Sequence, residues 1–131
     1  MEEEILDQAL VDEFIVEFRE RIEDAIHHAL TIEKDPEDTE SVNSLFRELH
    51  TIKGNAGVVG FKKMVRLAQE TENLVGNIRD RILEVNSEIV EVLLTSADLF
   101  TALVDEAEGR ATVEDHELNK FITTISSLSA T

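Results

Sequence analysis

A histidine followed one helical turn later by a lysine is the feature of this sequence most suited to chemistry. His50 and Lys53 lie in the run LHTIKGNAG, which spans residues 49–57. Side chains three or four positions apart share one face of a helix, so Lys53 and Gly54 flank His50, while a separate apolar stripe turns inward at Leu45, Leu49, Ile52 and Ala56. We therefore expect His50 to point at solvent. A neutral imidazole beside a positive charge is suited to accept a phosphoryl group.

The chain is strongly acidic, but its charge is unevenly distributed. The formal net charge is -17, yet residues 44–66 contain a single acidic residue and five basic ones, Arg47, Lys53, Lys62, Lys63 and Arg66. The total charge argues against nucleic acid or an anionic membrane as a general partner, because both are bound through excess lysine and arginine. The basic cluster around His50 has two interpretations: a site that handles phosphoryl groups, or a chance grouping of exposed helix charges.

Length and composition indicate one domain that spans residues 1–131. The chain has 131 residues, 42% of them hydrophobic, which is enough to bury a hydrophobic core without cross-links such as disulfides. It contains no cysteine, which excludes disulfides, thiolate metal sites and a cysteine nucleophile. The acidic start is unlike a targeting peptide, and no apolar run approaches the roughly 18 to 20 residues of a membrane span. We expect a soluble cytoplasmic domain that does not insert into membranes.

Apolar residues recur at spacings of three and four along nearly the whole chain, which is the pattern of amphipathic helices. The third inward stripe of this pattern ends at Ile82, and Gly60 marks the turn before that helix. The pattern predicts five helices, over about residues 5–33, 39–59, 61–82, 87–108 and 113–128.

Local signals and connection lengths extend the prediction to an architecture. Asn86 or Ser87 can cap the fourth helix, and residues 112–115 resemble a capping box that opens the fifth. The short connections favour antiparallel neighbours. The fold class is therefore all-α, an up-and-down antiparallel four-helix bundle with an additional C-terminal fifth helix. That helix could pack on the side of the bundle, extend away from it, or fold only with downstream sequence.

These residues carry a family resemblance that covers nearly the whole chain. Residues 45–57, followed by Gly60 and Phe61 and later by the Glu72-Asn73-Leu74 run, resemble a histidine-containing phosphotransfer domain. More narrowly, the chain is similar to the amino-terminal domain of the CheA-type chemotaxis histidine kinases. It departs from that pattern at Asn55, where many relatives have a second glycine, and at Gln69, where some carry another histidine. We expect Asn55 to alter only local packing or helix stability.

The resemblance implies a role for three residues of the site. His50 is the phosphorylated residue, Lys53 lies beside the phosphoryl group, and Glu72 accepts a hydrogen bond from the imidazole. A carboxylate on one ring nitrogen fixes the tautomer and strengthens the other nitrogen as a nucleophile, which points to Nε2 as the reactive atom. Lys53 supplies positive charge to the phosphoryl oxygens. A glycine within a helix costs roughly 1 kcal/mol relative to alanine, and at position 54 it permits close approach of a partner.

The resemblance also implies partners. An ATP-binding domain of a histidine kinase phosphorylates His50, and the receiver domain of a response regulator takes the phosphoryl group onto an aspartate. ATP and Mg²⁺ belong to those partner domains, so this domain is expected to bind no cofactor or metal and to be no enzyme on its own, although part of a CheA-type kinase. The expected partner-binding residues surround the histidine and are Phe46, Arg47, Gly54, Gly57 and Val58.

Two other classes of function are compatible with a helical bundle. A di-iron enzyme needs two Glu-x-x-His motifs with two further glutamates, whereas the nearest match here is one Asp24-x-x-His27. The remaining histidines, including His28 and His116, are interpreted as surface residues. A helical adaptor that binds a partner without any phosphoryl chemistry is the other alternative, and it assigns no role to the surroundings of His50.

Overall fold

The computed structural model describes residues 8–130, which form five helices. Helices α1 to α4 form a four-helix bundle, in which each helix packs against the next and α4 also packs against α1, and α5 lies on α3. The all-α bundle with a fifth helix is thereby confirmed. The predicted start of the first helix near residue 5 lies outside the described residues. The helices are α1 Gln8–Lys34, α2 Thr39–Val59, α3 Lys62–Arg79, α4 Ser87–Ala107 and α5 Asp115–Ser129.

The core is built from the inward stripes that the sequence pattern predicts. On α2 the four predicted residues are buried, with exposed fractions between 0% and 3%. Full burial of a large aliphatic or aromatic side chain contributes roughly 1.5–3 kcal/mol. The core therefore dominates the packing of α2 and leaves the opposite face of that helix available for the site. The largest side chains that are fully buried include Phe18, Leu49, Ile52, Met64, Leu67, Leu74 and Leu118.

Capping side chains set the start of two helices. The Asp38 carboxylate accepts a hydrogen bond from the Ser41 amide at 3.0 Å and begins α2. The Asn86 side chain accepts a hydrogen bond from the Ile89 amide at 2.8 Å and begins α4. Of the two candidate caps, Asn86 and Ser87, the cap is therefore Asn86. Each bond satisfies a backbone amide that has no partner within the helix.

The predicted capping box at Thr112 is wrong. Helix α5 begins at Asp115, and its N-cap residue, Glu114, makes no side-chain capping bond. The reason is tertiary: the Val113 amide donates to a Glu106 carboxylate oxygen at 2.8 Å, and its carbonyl accepts from Lys63 at 2.7 Å. With both backbone groups of Val113 taken by other elements, the chain cannot start a helix there.

Helix α3 is shorter than predicted, because its C-terminus is closed by a backbone turn. It ends at Arg79, and Arg81 adopts a left-handed conformation with φ of 61°. The Ile82 amide then donates back to the Asn77 carbonyl at 2.8 Å, which is the bond of a Schellman motif. Ile82, expected to be the last inward residue of this helix, is 62% exposed because the chain has already turned away.

Helix α5 packs on the outer face of α3, which resolves the three alternatives left by the sequence. Leu118 and Ile125 of α5 are fully buried. Its C-terminal end is attached by Asn77 of α3, whose amide group donates to the Ser129 carbonyl at 2.9 Å. Helix α3 is therefore held between α2 on one side and α5 on another.

The turn between α2 and α3 depends on Gly60, which yields the first prediction. Gly60 has φ of 77°, where a side chain costs about 1–2 kcal/mol, and the Phe61 amide closes the turn on the Ala56 carbonyl at 2.9 Å. We expect Gly60→Ala to lower the free energy of unfolding by about that amount in chemical denaturation. The control is Gly54→Ala within α2, where an added Cβ has no atom within 4 Å; it should stabilise by up to about 1 kcal/mol. Equal effects of the two variants would contradict this account.

Candidate functional site

The site begins with a hydrogen bond between two helices. His50 on α2 and Glu72 on α3 face each other, and the imidazole Nδ1 lies 2.7 Å from the Glu72 Oε2. A neutral imidazole has one N–H donor and one acceptor nitrogen, and a carboxylate only accepts. The proton therefore lies on Nδ1, and the lone pair on Nε2. This geometry leaves the nucleophilic nitrogen on the side of the ring away from the carboxylate.

The two partners differ sharply in exposure. The His50 side chain is 67% exposed, as the helical pattern predicts, whereas the Glu72 side chain is only 8% exposed. Burial opposes ionisation of Glu72, but hydrogen bonds from Lys53 and His50 outweigh it, and the pKa of this carboxyl lies below its ordinary value. Glu72 is consequently a carboxylate at neutral pH, fixed in place beneath an accessible imidazole.

Lys53 binds the same carboxylate from the other side. Its ammonium Nζ lies 2.7 Å from the Glu72 Oε1 and 3.3 Å from the Gln69 Oε1. The Gln69 side chain in turn donates to the Asn73 Oδ1 at 3.0 Å. Each oxygen of Glu72 thus has its own partner, and both partners come from α2.

Gln69 and Arg79 were not among the predicted site residues. Gln69 orients the lysine, and the guanidinium of Arg79 lies 4.3 Å from the centroid of the Phe46 ring. Both residues lie on α3 at offsets of three and seven from Glu72. That spacing places them on the Glu72 face of the helix, a signal that could have identified them.

Phe46 connects that guanidinium to the histidine. The Phe46 and His50 rings are nearly parallel, with 8° between their planes and 6.5 Å between centroids. Phe46 is half-buried rather than free at the surface. Gly76 on α3 leaves room for it, because a Cβ at that position would lie 3.4 Å from a Phe46 ring carbon.

The other predicted partner-binding residues form an accessible strip along α2. Arg47, Gly54, Gly57 and Val58 are all exposed, and Val58 is 61% exposed. A Cβ added at Gly54 or Gly57 has no atom within 4 Å, so neither glycine is required by packing inside the bundle. The strip presents bare backbone beside the imidazole.

The basic cluster of the sequence is divided in three dimensions. Lys63 contacts Glu106 of α4 at 3.1 Å, and Arg66 bonds Asn119 of α5. Among the contacts of the described residues, Lys53 alone of the five basic residues reaches the hydrogen bonds around His50. Lys63 and Arg66 therefore connect helices, whereas Lys53 belongs to the hydrogen-bonded group around His50.

Two features of the described residues bear on other functions. Within residues 8–130 no group of three or more histidine and acidic side chains is placed to hold one metal ion. His27 and His116 are exposed, and His28 is half-buried. Nor does any helix in that range combine the length and the apolarity needed to cross a membrane.

A helical bundle that presents one accessible imidazole, held through its other nitrogen by a buried carboxylate, has the construction of a phosphotransfer module. Comparison with known families agrees with this class. The model of the Hpt domain matches residues 9–110, most of the sequence, and the chain belongs to the Hpt domain family. It is therefore a histidine phosphotransfer domain, as the sequence resemblance implies.

The chain is similar to chemotaxis kinases and to their phosphotransfer domains. The chain is 30% identical to the chemotaxis protein CheA of Treponema pallidum (strain Nichols) over 102 residues, which cover 78% of this chain and 13% of that protein. The solution structure of the histidine phosphotransfer domain of CheA matches with a TM-score of 0.83 at 30% identity, covering 93% of this chain and 92% of that one. The phosphorylated P1 domain of CheA3, in complex with CheY6 from R. sphaeroides, matches with a TM-score of 0.79 at 28% identity, covering 91% and 94%.

The hydrogen bond at Nδ1 predicts an unusual tautomer for His50. An imidazole in water favours the tautomer with the proton on Nε2, whereas Glu72 holds it on Nδ1. We expect ¹⁵N NMR of the neutral ring to show the Nδ1–H form for His50 in the wild type and loss of that preference in Glu72→Ala. Exposed His116 provides an internal control that should not change. An Nε2–H tautomer for wild-type His50 would contradict the assignment.

Proposed function

We propose that His50 is the phosphoryl-accepting residue of this domain and that Nε2 is the atom that reacts. The observation that carries the proposal is the 2.7 Å contact between Nδ1 and Glu72 on a ring that is otherwise 67% exposed. One nitrogen is occupied by a fixed acceptor, and the other is accessible to a second protein. A merely surface-exposed histidine would need no buried carboxylate beneath it.

The proposed reaction has two balanced steps. First, the Nε2 lone pair attacks the γ-phosphorus of ATP held by a kinase domain, the N–P bond forms, and the bond to the ADP oxygen breaks as ADP leaves. The ring then carries a positive charge and keeps its hydrogen on Nδ1. Second, a carboxylate oxygen of a receiver-domain aspartate attacks the same phosphorus, and the N–P bond breaks. The neutral imidazole returns for another cycle.

Glu72 assists both steps through the charge on the ring. When Nε2 bonds to phosphorus, the Nδ1–H···Oε2 hydrogen bond joins an imidazolium to a carboxylate and becomes stronger. The same carboxylate keeps the ring protonated on Nδ1, which makes the imidazole a good leaving group in the second step. Because the lowered pKa keeps Glu72 ionised, this assistance is present throughout the neutral pH range.

Lys53 links the carboxylate to the incoming phosphoryl group. An ammonium group donates up to three hydrogen bonds, and its contacts to Glu72 and Gln69 account for two. The third donor can turn towards a phosphoryl oxygen on His50. Phosphoryl transfer depends mainly on positioning and electrostatics, so a single well-placed cation is an effective contribution.

The partners in this proposal follow from the relatives. This chain spans 13% of the length of CheA from Treponema pallidum, so the kinase activity and other domains of such a protein are proposals here. We propose that the domain is part of a CheA-type histidine kinase in the cytoplasm, whose ATP-binding domain phosphorylates His50. A receiver domain of a response regulator takes the group. ATP and Mg²⁺ are held by those domains, and this one acts as carrier.

Both partners approach along the exposed strip of α2. Gly54 and Gly57 allow another protein to come close to the imidazole, and Val58 offers an exposed apolar side chain at the end of the same strip. Arg47 supplies a positive charge nearby, and Phe46 lies half-buried at the edge. The two glycines leave the surface around the reacting atom without large side chains, which suits two partners that must reach the same nitrogen.

Substitution of His50 tests the acceptor assignment. We expect a CheA-type kinase that lacks its own phosphotransfer domain to transfer radiolabelled phosphate from ATP to the wild type and not to His50→Gln, with an acid-labile label. His116→Gln, at an exposed histidine away from the site, should be labelled like the wild type. Label on His50→Gln would overturn the assignment, and absence of label with several competent kinases would favour a binding-only adaptor.

Removal of the Lys53 charge tests the electrostatic role. We expect Lys53→Met to slow phosphorylation about ten-fold, which corresponds to ~1.4 kcal/mol in the barrier, because the phosphoryl oxygens lose their nearest cation. Lys62→Met removes the same charge from an exposed position at the start of α3 and serves as the matched control. Equal slowing by both variants would indicate a general effect of net charge rather than a specific role for Lys53.

A further inference from the structure

The hydrogen bond from Glu72 does not by itself fix the orientation of the His50 ring. A single contact at Nδ1 holds one edge of the imidazole, but the ring can still pivot about that contact. With 67% of the side chain exposed, few neighbours restrain it. The direction of the Nε2 lone pair depends on the plane of the ring, so the site needs a second restraint.

Phe46 lies where such a restraint would act. It precedes His50 by one helical turn, and the two ring planes differ by 8° at a centroid separation of 6.5 Å. This separation falls within the range in which aromatic rings attract each other in offset stacks. A flat ring on that side of the imidazole opposes tilting towards the N-terminus of α2.

The Phe46 ring is itself held from α3. The Arg79 guanidinium lies 4.3 Å from its centroid, a cation–π distance, and Asp80 holds Arg79 through contacts of 3.0 and 3.3 Å. Gly76 provides the space that the ring occupies against α3. A chain of contacts therefore runs from Arg79 through Phe46 to His50, separate from the hydrogen bonds of Glu72.

We propose that Phe46 is a positioning residue that sets the plane of the His50 imidazole for in-line attack, and that Arg79 acts through it by fixing the Phe46 ring. This inference rests on the proposed reaction of His50 and adds residues to it. It assigns Phe46 a role within the domain. A residue that only touches a partner would change binding, whereas one that orients the nucleophile changes the rate of the bound complex.

Steady-state phosphorylation of the domain by a CheA-type kinase domain separates these roles. We expect Phe46→Leu, which keeps the apolar bulk and removes the ring, to lower kcat on the order of ten-fold with KM changed less than about two-fold, because misorientation penalises the chemical step. Phe46→Tyr keeps the ring and should restore kcat. Phe14→Leu, at a half-buried phenylalanine whose ring partner is Phe18, is the matched control.

A double-mutant cycle tests the part played by Arg79. If Arg79 acts only through the Phe46 ring, Arg79→Gln should lower kcat in the wild type but should have no further effect in Phe46→Leu. Independent effects of the two substitutions on kcat would overturn this part of the proposal.

NMR of the unphosphorylated domain distinguishes failure of this inference from failure of the proposed function. Phe46→Leu should widen the range of His50 ring orientations, read from nuclear Overhauser effects between its ring protons and the neighbouring side chains, while the Nδ1–H tautomer that Glu72 holds persists. Phe46→Tyr and Phe14→Leu should leave the ring orientation close to wild type. These signals do not require any phosphoryl transfer. A rise in KM with kcat unchanged, or an unaltered His50 ring in Phe46→Leu, would overturn the positioning role even if His50→Gln abolishes labelling.

Discussion

The arrangement of the site depends on the two hydrogen bonds that the Glu72 carboxylate accepts. Burying a charge is costly unless it is paired and hydrogen-bonded, and here each oxygen has one partner, His50 or Lys53, at 2.7 Å. Because both partners lie on α2 and the carboxylate lies on α3, the two bonds specify how these helices are aligned. A slip of one helical turn, about 5.4 Å, would break both bonds and leave the carboxylate buried alone.

The remainder of the bundle keeps α3 in that alignment. On the side towards α2, the left-handed Gly60 joins the helices through a turn of fixed geometry. Phe61 follows the turn and packs against Phe18, with 5.9 Å between the ring centroids. On another side, α5 packs on α3, and Lys63 secures the preceding loop through the Val113 carbonyl. The polar site is thus supported by contacts made elsewhere in the bundle.

The distribution of exposure within the site suits a group that must be both fixed and reachable. Glu72 and most of Lys53 are withdrawn from solvent, with 8% and 24% of their side chains exposed, whereas His50 projects outward at 67%. The buried part provides the electrostatics, and the exposed part provides access. In the proposed function, this exposure allows two different proteins to reach the same nitrogen.

Local pattern was sufficient to predict the helices, the inward stripe of α2 and the exposure of His50, because each follows from the 3.6-residue period of a single helix. The local pattern was insufficient where a residue distant in sequence intervenes. At Val113, Lys63 and Glu106 bind the backbone, and α5 therefore begins later than its sequence suggests. The partnership of His50 with Glu72 was accessible only through family resemblance, since 22 positions separate the two residues. Tertiary packing alone decided the contacts between helices, because their alignment results from side chains that the sequence places far apart.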